Sequence, residues 1–209
     1  MNIVLFGATG MIGSRILDEL VSRGHSITAV IRDPGKLAGR ENVIGTSGDI
    51  FDAASVADAV RDGDLVVSAY GPGPENPDLL LKATESLIAG VAAGGVRRLV
   101  MVGGAGTLET APGRQLMDAP DFPAAWKGIA MAHGNALQLL RASGLDWTSV
   151  SPAAYIHPGE RTGKFRTGTD NLITNDQGQS EISAEDFAIA VADEVENPRH
   201  IRQRFTAAW

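Results

Sequence analysis

Gly7-Ala8-Thr9-Gly10-Met11-Ile12-Gly13 spaces three glycines three residues apart, between a short apolar run and an amphipathic stretch. In that setting a glycine loop can cradle phosphate. The first glycine allows a tight turn, the second lets backbone approach a pyrophosphate, and the third lets a helix pack closely on a strand. Free N–H groups at the helix start, at the positive end of its dipole, would hold the phosphates. Thr9, Met11 and Ile12 of the same loop complete this set of candidate contacts. A tight turn with no ligand is the competing account; the strand before and the helix after favour a nucleotide.

The second chemical cluster is Val30-Ile31-Arg32-Asp33-Pro34-Gly35-Lys36. At the end of a second strand a carboxylate would accept from the adenosine ribose 2′-OH of NAD(H), whereas arginine would meet the 2′-phosphate of NADP(H). Arg32 holds the strand-end position and Lys36 lies one turn on. A phosphate would therefore find two cations, and the guanidinium can also stack on adenine. We expect NADP(H) in preference to NAD(H), with Asp33 as the competing group that could turn towards the ribose.

Further strand-end turns supply the remaining candidates. Asp49, followed by Ile50, could accept from the adenine amino group or serve only to start a helix. The small residues around Tyr70, Ala69 and Gly71, would let backbone approach the middle of the cofactor. Gly103 and Gly104 would form the floor under the nicotinamide, and Pro152 ends the strand beside them. Two side chains could move a proton, His133 for its titration range and Tyr155 for its place just past Pro152. Packing is the competing account of both.

The elements that must position these groups are legible as periodicity. Apolar runs at 2–6, 26–31, 42–45, 64–69, 97–102 and 146–151 alternate with amphipathic stretches, which argues βαβ units and a parallel sheet covered on both faces. Helices are expected from Met11 to a stop at Gly24, over Ala53 to Arg61, Asp78 to Ala93 and Ala124 to Ala142, and after Ser183 to a stop at Asn197-Pro198. Beyond Pro152 the pattern loosens into short strands and turns before that last helix and a closing strand at 204–209. With no repeat and no linker, 1–209 reads as one domain, its core about 1–152 and its substrate lobe about 153–209.

Composition narrows the chemistry. The chain has no cysteine, which removes thiolate nucleophiles, disulfides, cysteine-ligated zinc and iron–sulfur clusters; no metal site is expected. A net charge of -7 argues against nucleic acid and anionic lipid as partners. No apolar run reaches the length of a membrane span, and with an apolar, strand-like run from the second residue no export signal is expected. We expect a cytoplasmic protein acting on a small-molecule acceptor.

GATGMIG, IRDPGKL, GDIFD, the strand-end SAYG and SGLDWTSVSP together resemble the atypical short-chain dehydrogenase/reductases, in the NAD(P)H-binding branch of NmrA-like and flavin/biliverdin-reductase-like proteins. The resemblance covers nearly the whole chain. It implies an α/β, Rossmann-type doubly wound parallel sheet with a small C-terminal substrate lobe, and a nicotinamide cofactor. Typical members carry a Tyr-x-x-x-Lys pair as proton relay. Here those positions fall at Ile129 and His133, and neither Tyr70 nor Tyr155 has a lysine four residues later. Hydride transfer to a flavin such as FMN, or to a quinone, asks less of a positioned acid, so an NADPH-dependent reductase of a conjugated acceptor is the first reading. A non-catalytic NADP(H) sensor with a protein partner, as in NmrA-like regulators, is the second, and an epimerase or dehydratase the third. The acceptor would lie among Gly104–Phe122 and Tyr155–Gly178, where Arg114, Arg161, Lys164, Phe165 and Arg166, with Trp126 nearby, could suit a planar acidic ligand; a solvated basic face is the alternative for each arginine.

Overall fold

Strands apolar on both faces must be covered on both sides, and the computed structural model, which describes residues 1–209, shows how. In chain order the strands are β1 (Asn2–Phe6), β2 (Ser26–Val30), β3 (Val43–Thr46), β4 (Leu65–Ser68), β5 (Arg98–Val102), β6 (Glu109–Ala111), β7 (Arg114–Gln115), β8 (Asp146–Ser151), β9 (Tyr155–His157), β10 (Arg166–Gly168), β11 (Glu181–Ser183) and β12 (Gln203–Ala208). The helices are α1 (Met11–Ser22), α2 (Ala53–Val60), α3 (Asp78–Ala93), α4 (Ala124–Ala142) and α5 (Ala184–Glu196). Eight strands form one sheet in the order β10-β12-β8-β5-β4-β1-β2-β3, all parallel except β10.

Helices α1 and α5 bury Ile16, Leu17, Leu20, Phe187 and Val191 against one face. The other face takes α2, α3 and α4 through Val56, Leu80, Leu87, Ala136, Leu137 and Leu140. β1 lies between β4 and β2, so the chain winds outward in both directions from that point. Such a reversal opens a crevice above the carboxyl ends of the strands, the place where open α/β sheets bind ligands.

The main sheet departs from the periodicity in small, explicable ways. β3 starts one residue late because Asn42 adopts a left-handed conformation (φ 59°) that ends the preceding turn. The hairpin of β6 and β7 escaped the reading, since both strands are short and polar around the turn glycine Gly113. After Pro152, β9 and β11 pair with each other, whereas β10 adds to the main sheet, Arg166 facing Ala208. The segment expected as a lobe thus also supplies an edge of the central sheet.

Candidate functional site

The glycine loop sits where β1 ends beside β4. Gly7 has φ 79°, and a Cβ there would lie 2.6 Å from the Ala69 carbonyl carbon. A Cβ on Gly13 would fall 2.0 Å from the Gly7 carbonyl oxygen. Both glycines are therefore demanded by the packing of strand and helix. Gly10 differs: its φ is -77° and a Cβ would meet only the Gly7 oxygen at 3.5 Å. Its outer side is open. Gly10 is also the N-cap of α1 and offers no side chain to the first turn, which leaves the Met11, Ile12 and Gly13 amides without intrahelical acceptors. An anion is the natural partner for such a terminus. Thr9 and Met11 are exposed beside it.

At the end of β2, Arg32 is exposed and makes no ion pair, and Lys36 is exposed in the short 3₁₀ turn Pro34–Leu37. The Asp33 carboxylate caps that turn, accepting from the Gly35 amide at 3.2 Å. Asp49 is similarly engaged: its Oδ1 accepts from the Phe51 amide at 2.9 Å, while its own amide donates to Ser55 Oγ at 2.9 Å. The Phe51 ring meets Tyr70 edge to face at 5.7 Å, and Lys82 Nζ stands 5.5 Å from the Phe51 centroid. Burial pushes the Tyr70 phenol above its usual range, and the Arg32 charge acts in the opposite direction. Ala69 and Tyr70 are half-buried at the end of β4, beside an exposed Gly71.

The other end of the crevice is built on β5, β8 and α4. Gly103 donates its amide to the Val150 carbonyl at 2.8 Å, and a Cβ on it would strike Ser149 Oγ at 2.7 Å. A Cβ on Gly104 would come within 2.8 Å of the His133 ring. Glycine at 104 thus makes room for an imidazole laid against the backbone. The His133 Nδ1 is enclosed and has no hydrogen-bond partner. Burial lowers its pKa to about 4, so the ring is neutral near pH 7. Pro152 is buried at the end of β8. Tyr155 is 61% exposed, its ring stacked on His157 at 4.9 Å.

Residues 7–198 match the NAD(P)H-binding family. The chain belongs to that family. It is 39% identical over 210 residues to the uncharacterized protein YwnB of Bacillus subtilis (strain 168), covering 99% of this chain and 97% of YwnB. Among solved structures, a proposed exported protein from Burkholderia pseudomallei is 51% identical over 100% of both chains, with a TM-score of 0.91. A proposed NADH-flavin reductase from Streptococcus pneumoniae is 36% identical, covers 100% of this chain and 99% of its own, and superposes with a TM-score of 0.88.

For an NAD(P)H-binding chain the geometry fits: an uncapped helix start, an open Gly10 and a free guanidinium lie along one crevice. Phe51 and Lys82 escaped the sequence reading; the signal was the Asx turn from Asp49, which folds Phe51 back against Tyr70. Two of the four basic residues expected around the acceptor are engaged elsewhere. Arg161 grips Glu19 of α1 at 2.9 and 3.0 Å, and Arg166 donates to the carbonyls of Thr174 and Trp209. Arg114 and Trp126 are exposed, and Lys164 and Phe165 border a shallow surface depression beside Trp209. No helix is long and apolar enough to cross a membrane.

Proposed function

We propose that the protein is an NADPH-dependent reductase that passes hydride to a conjugated acceptor, a flavin or a quinone. The observation that carries this reading is the division of labour in the crevice: the cofactor end is furnished with groups for phosphate, and at the other end the imidazole laid against Gly104, His133, is neutral near pH 7. Gly7, Gly10 and Gly13, with Thr9, Met11 and Ile12, would hold the pyrophosphate on the α1 amides. Arg32 and Lys36 would take the adenosine 2′-phosphate, because Asp33 is occupied in capping its own turn. Asp49 and Ile50 would flank the adenine, with Ala69, Tyr70 and Gly71 along the middle of the cofactor. Gly103, Gly104 and Pro152 would border the nicotinamide. Bound NADPH supplies a hydride; the protein's part is to hold donor and acceptor in contact and exclude water.

Neither tyrosine has the lysine partner that would make it a proton relay. An electron-poor acceptor tolerates that lack, since charge delocalised over a conjugated system can be protonated from water. The test is oxidation of NADPH and NADH followed by loss of reduced-nicotinamide absorbance, with FMN, naphthoquinones and simple aldehydes offered in turn. Turnover with FMN or quinones and NADPH, but not aldehydes, is expected. Tight NADPH binding without turnover on any of them overturns the reading and favours a sensor. The same reading puts the protein in the cytoplasm, beside the reduced nicotinamide on which it draws; recovery of a tagged chain outside the cytoplasm would contradict it.

A further inference from the structure

We propose that His133 is the acceptor-binding residue of this site, a neutral imidazole whose Nε2–H donates a hydrogen bond to a carbonyl oxygen of the quinone or flavin. The proposal rests on the reductase reading above and specifies what the acceptor must carry. Three observations lead to it.

The first is position. His133 lies on the sheet-facing side of α4 and packs against Gly104 just beyond the end of β5, where a Cβ on Gly104 would be 2.8 Å from the ring Cδ2 and Cγ. Gly104 has no positive φ, so the missing side chain is explained by the imidazole it accommodates. The second is asymmetry between the ring nitrogens. Nδ1 is enclosed without a partner, whereas Nε2 is not enclosed and makes no bond within the protein, in a residue that retains some exposure. A proton on Nδ1 would bury an unanswered N–H; a bare lone pair there costs less. The proton therefore belongs on Nε2, which points the donor at the open side. The third is charge. Burial is the whole cause of the lowered pKa, with no charged side chain acting on the ring, so the imidazole keeps a single N–H across the neutral range. It is suited to polarise a carbonyl and unsuited to surrender a proton as an imidazolium.

The electron count closes without His133 losing a proton. Reduction of a quinone to a quinol takes one hydride from reduced nicotinamide and one proton from water. His133 holds the oxygen on which negative charge develops, and its N–H remains bonded to nitrogen throughout.

The experiment uses the full chain and 1,4-naphthoquinone as probe, with His133→Phe, which keeps bulk and removes the donor, and His133→Gln, which returns an N–H of similar reach. Wild-type kcat/KM should be flat from pH 6 to 9. His133→Phe should lose about tenfold in kcat/KM, the size of one hydrogen bond to developing charge, with NADPH affinity unchanged, and His133→Gln should regain part of the loss. In ¹⁵N-labelled wild type holding NADP⁺, the His133 signals should report the Nε2–H tautomer and shift on adding the quinone. A kcat/KM limb near pH 6.5 that vanishes in His133→Phe would make the residue a proton donor and overturn the proposal. So would a fall in NADPH affinity matching the fall in kcat/KM, which would place the donor on the cofactor, or quinone turnover untouched in both variants. Failure of the reductase reading looks different: wild type turns over no acceptor while the imidazole signal still moves with quinone.

Discussion

Arg32, at the carboxyl end of β2, is a guanidinium without a carboxylate partner. Arg23, Arg98, Arg161 and Arg204 are all paired with carboxylates, whereas Arg32, just past the end of β2, is exposed and makes no ion pair, and its charge acts on the phenol of Tyr70. A dianionic 2′-phosphate would give it the charge-assisted contact it lacks. Replacing Arg32 with alanine should weaken NADPH binding by about 1.5–3 kcal/mol, roughly tenfold to a hundredfold in Kd. NADH binding should move less than about threefold, because its ribose hydroxyl has no need of a cation. Fluorescence titrations of wild type and variant with both cofactors measure the difference; equal losses for the two would show that Arg32 serves adenine by stacking. The competing group named by the sequence, Asp33, resists such a reading from local pattern alone. Its role as cap of the Pro34 turn depends on a backbone conformation that single residues do not declare.

At the scale of one strand, one loop and one helix, the three glycines separate into two kinds. Gly13→Ala would drive a Cβ to 2.0 Å from a backbone oxygen, and since neither partner is a flexible side-chain end, α1 must move off β1. The apo protein should lose about 1–3 kcal/mol or more, read as a lowered midpoint in urea. Gly10→Ala meets only ordinary contact at 3.5 Å, so its cost should stay below about 1 kcal/mol, the difference between glycine and alanine at an N-cap. Its methyl group nevertheless projects into the open side where phosphate would lie, and NADPH affinity should fall at least tenfold. A stable Gly10→Ala that binds NADPH normally would remove the pyrophosphate from this loop. Both the loop and the sheet around it were legible because their rules are local: tight turn, alternating elements, caps such as Ser183 and Asp52 whose side chains accept from Asp186 and Ala54 amides. What escaped was set by distant partners. Phe51 is placed by Tyr70, the His133 ring by the gap at Gly104, and Arg161 by Glu19, separated from it by 142 positions. Periodicity carries no record of those pairings.

Three buried carboxylates hold the molecule together across such distances, and they set its tolerance of acid. Glu194, 3% exposed, takes Arg98 Nη2 at 2.9 Å, Thr148 Oγ1 at 3.1 Å and His200 Nδ1 at 2.7 Å, joining α5 to β5, β8 and the turn before β12. Asp186 accepts from the Thr162 and Gly163 amides and from the Trp209 indole, and Glu19 from Arg161 and Arg23. Burial alone would raise the pKa of Glu194 and Asp186, but their hydrogen bonds outweigh it; for Glu19 the bond from Arg161 leads. All three are held below their ordinary values. Burial also lowers Arg98, from so high a value that the guanidinium stays charged. Because the folded pKa values lie below the unfolded ones, the stability these groups confer is complete above about pH 5 and is lost as pH falls through the lowered folded values. Thermal midpoints should therefore be level from pH 6 to 8 and fall steeply below about pH 4.5. Glu194→Gln strands the charge of Arg98 in a buried setting and should remove about 3–5 kcal/mol at pH 7, roughly 10 °C in Tm, while flattening the acid limb. Asp18→Asn, which breaks only the exposed pair with Arg40, should cost less than about 1 kcal/mol. Calorimetry across this pH range compares the three proteins; an acid limb as steep in Glu194→Gln as in wild type would assign the acid sensitivity to the other two carboxylates.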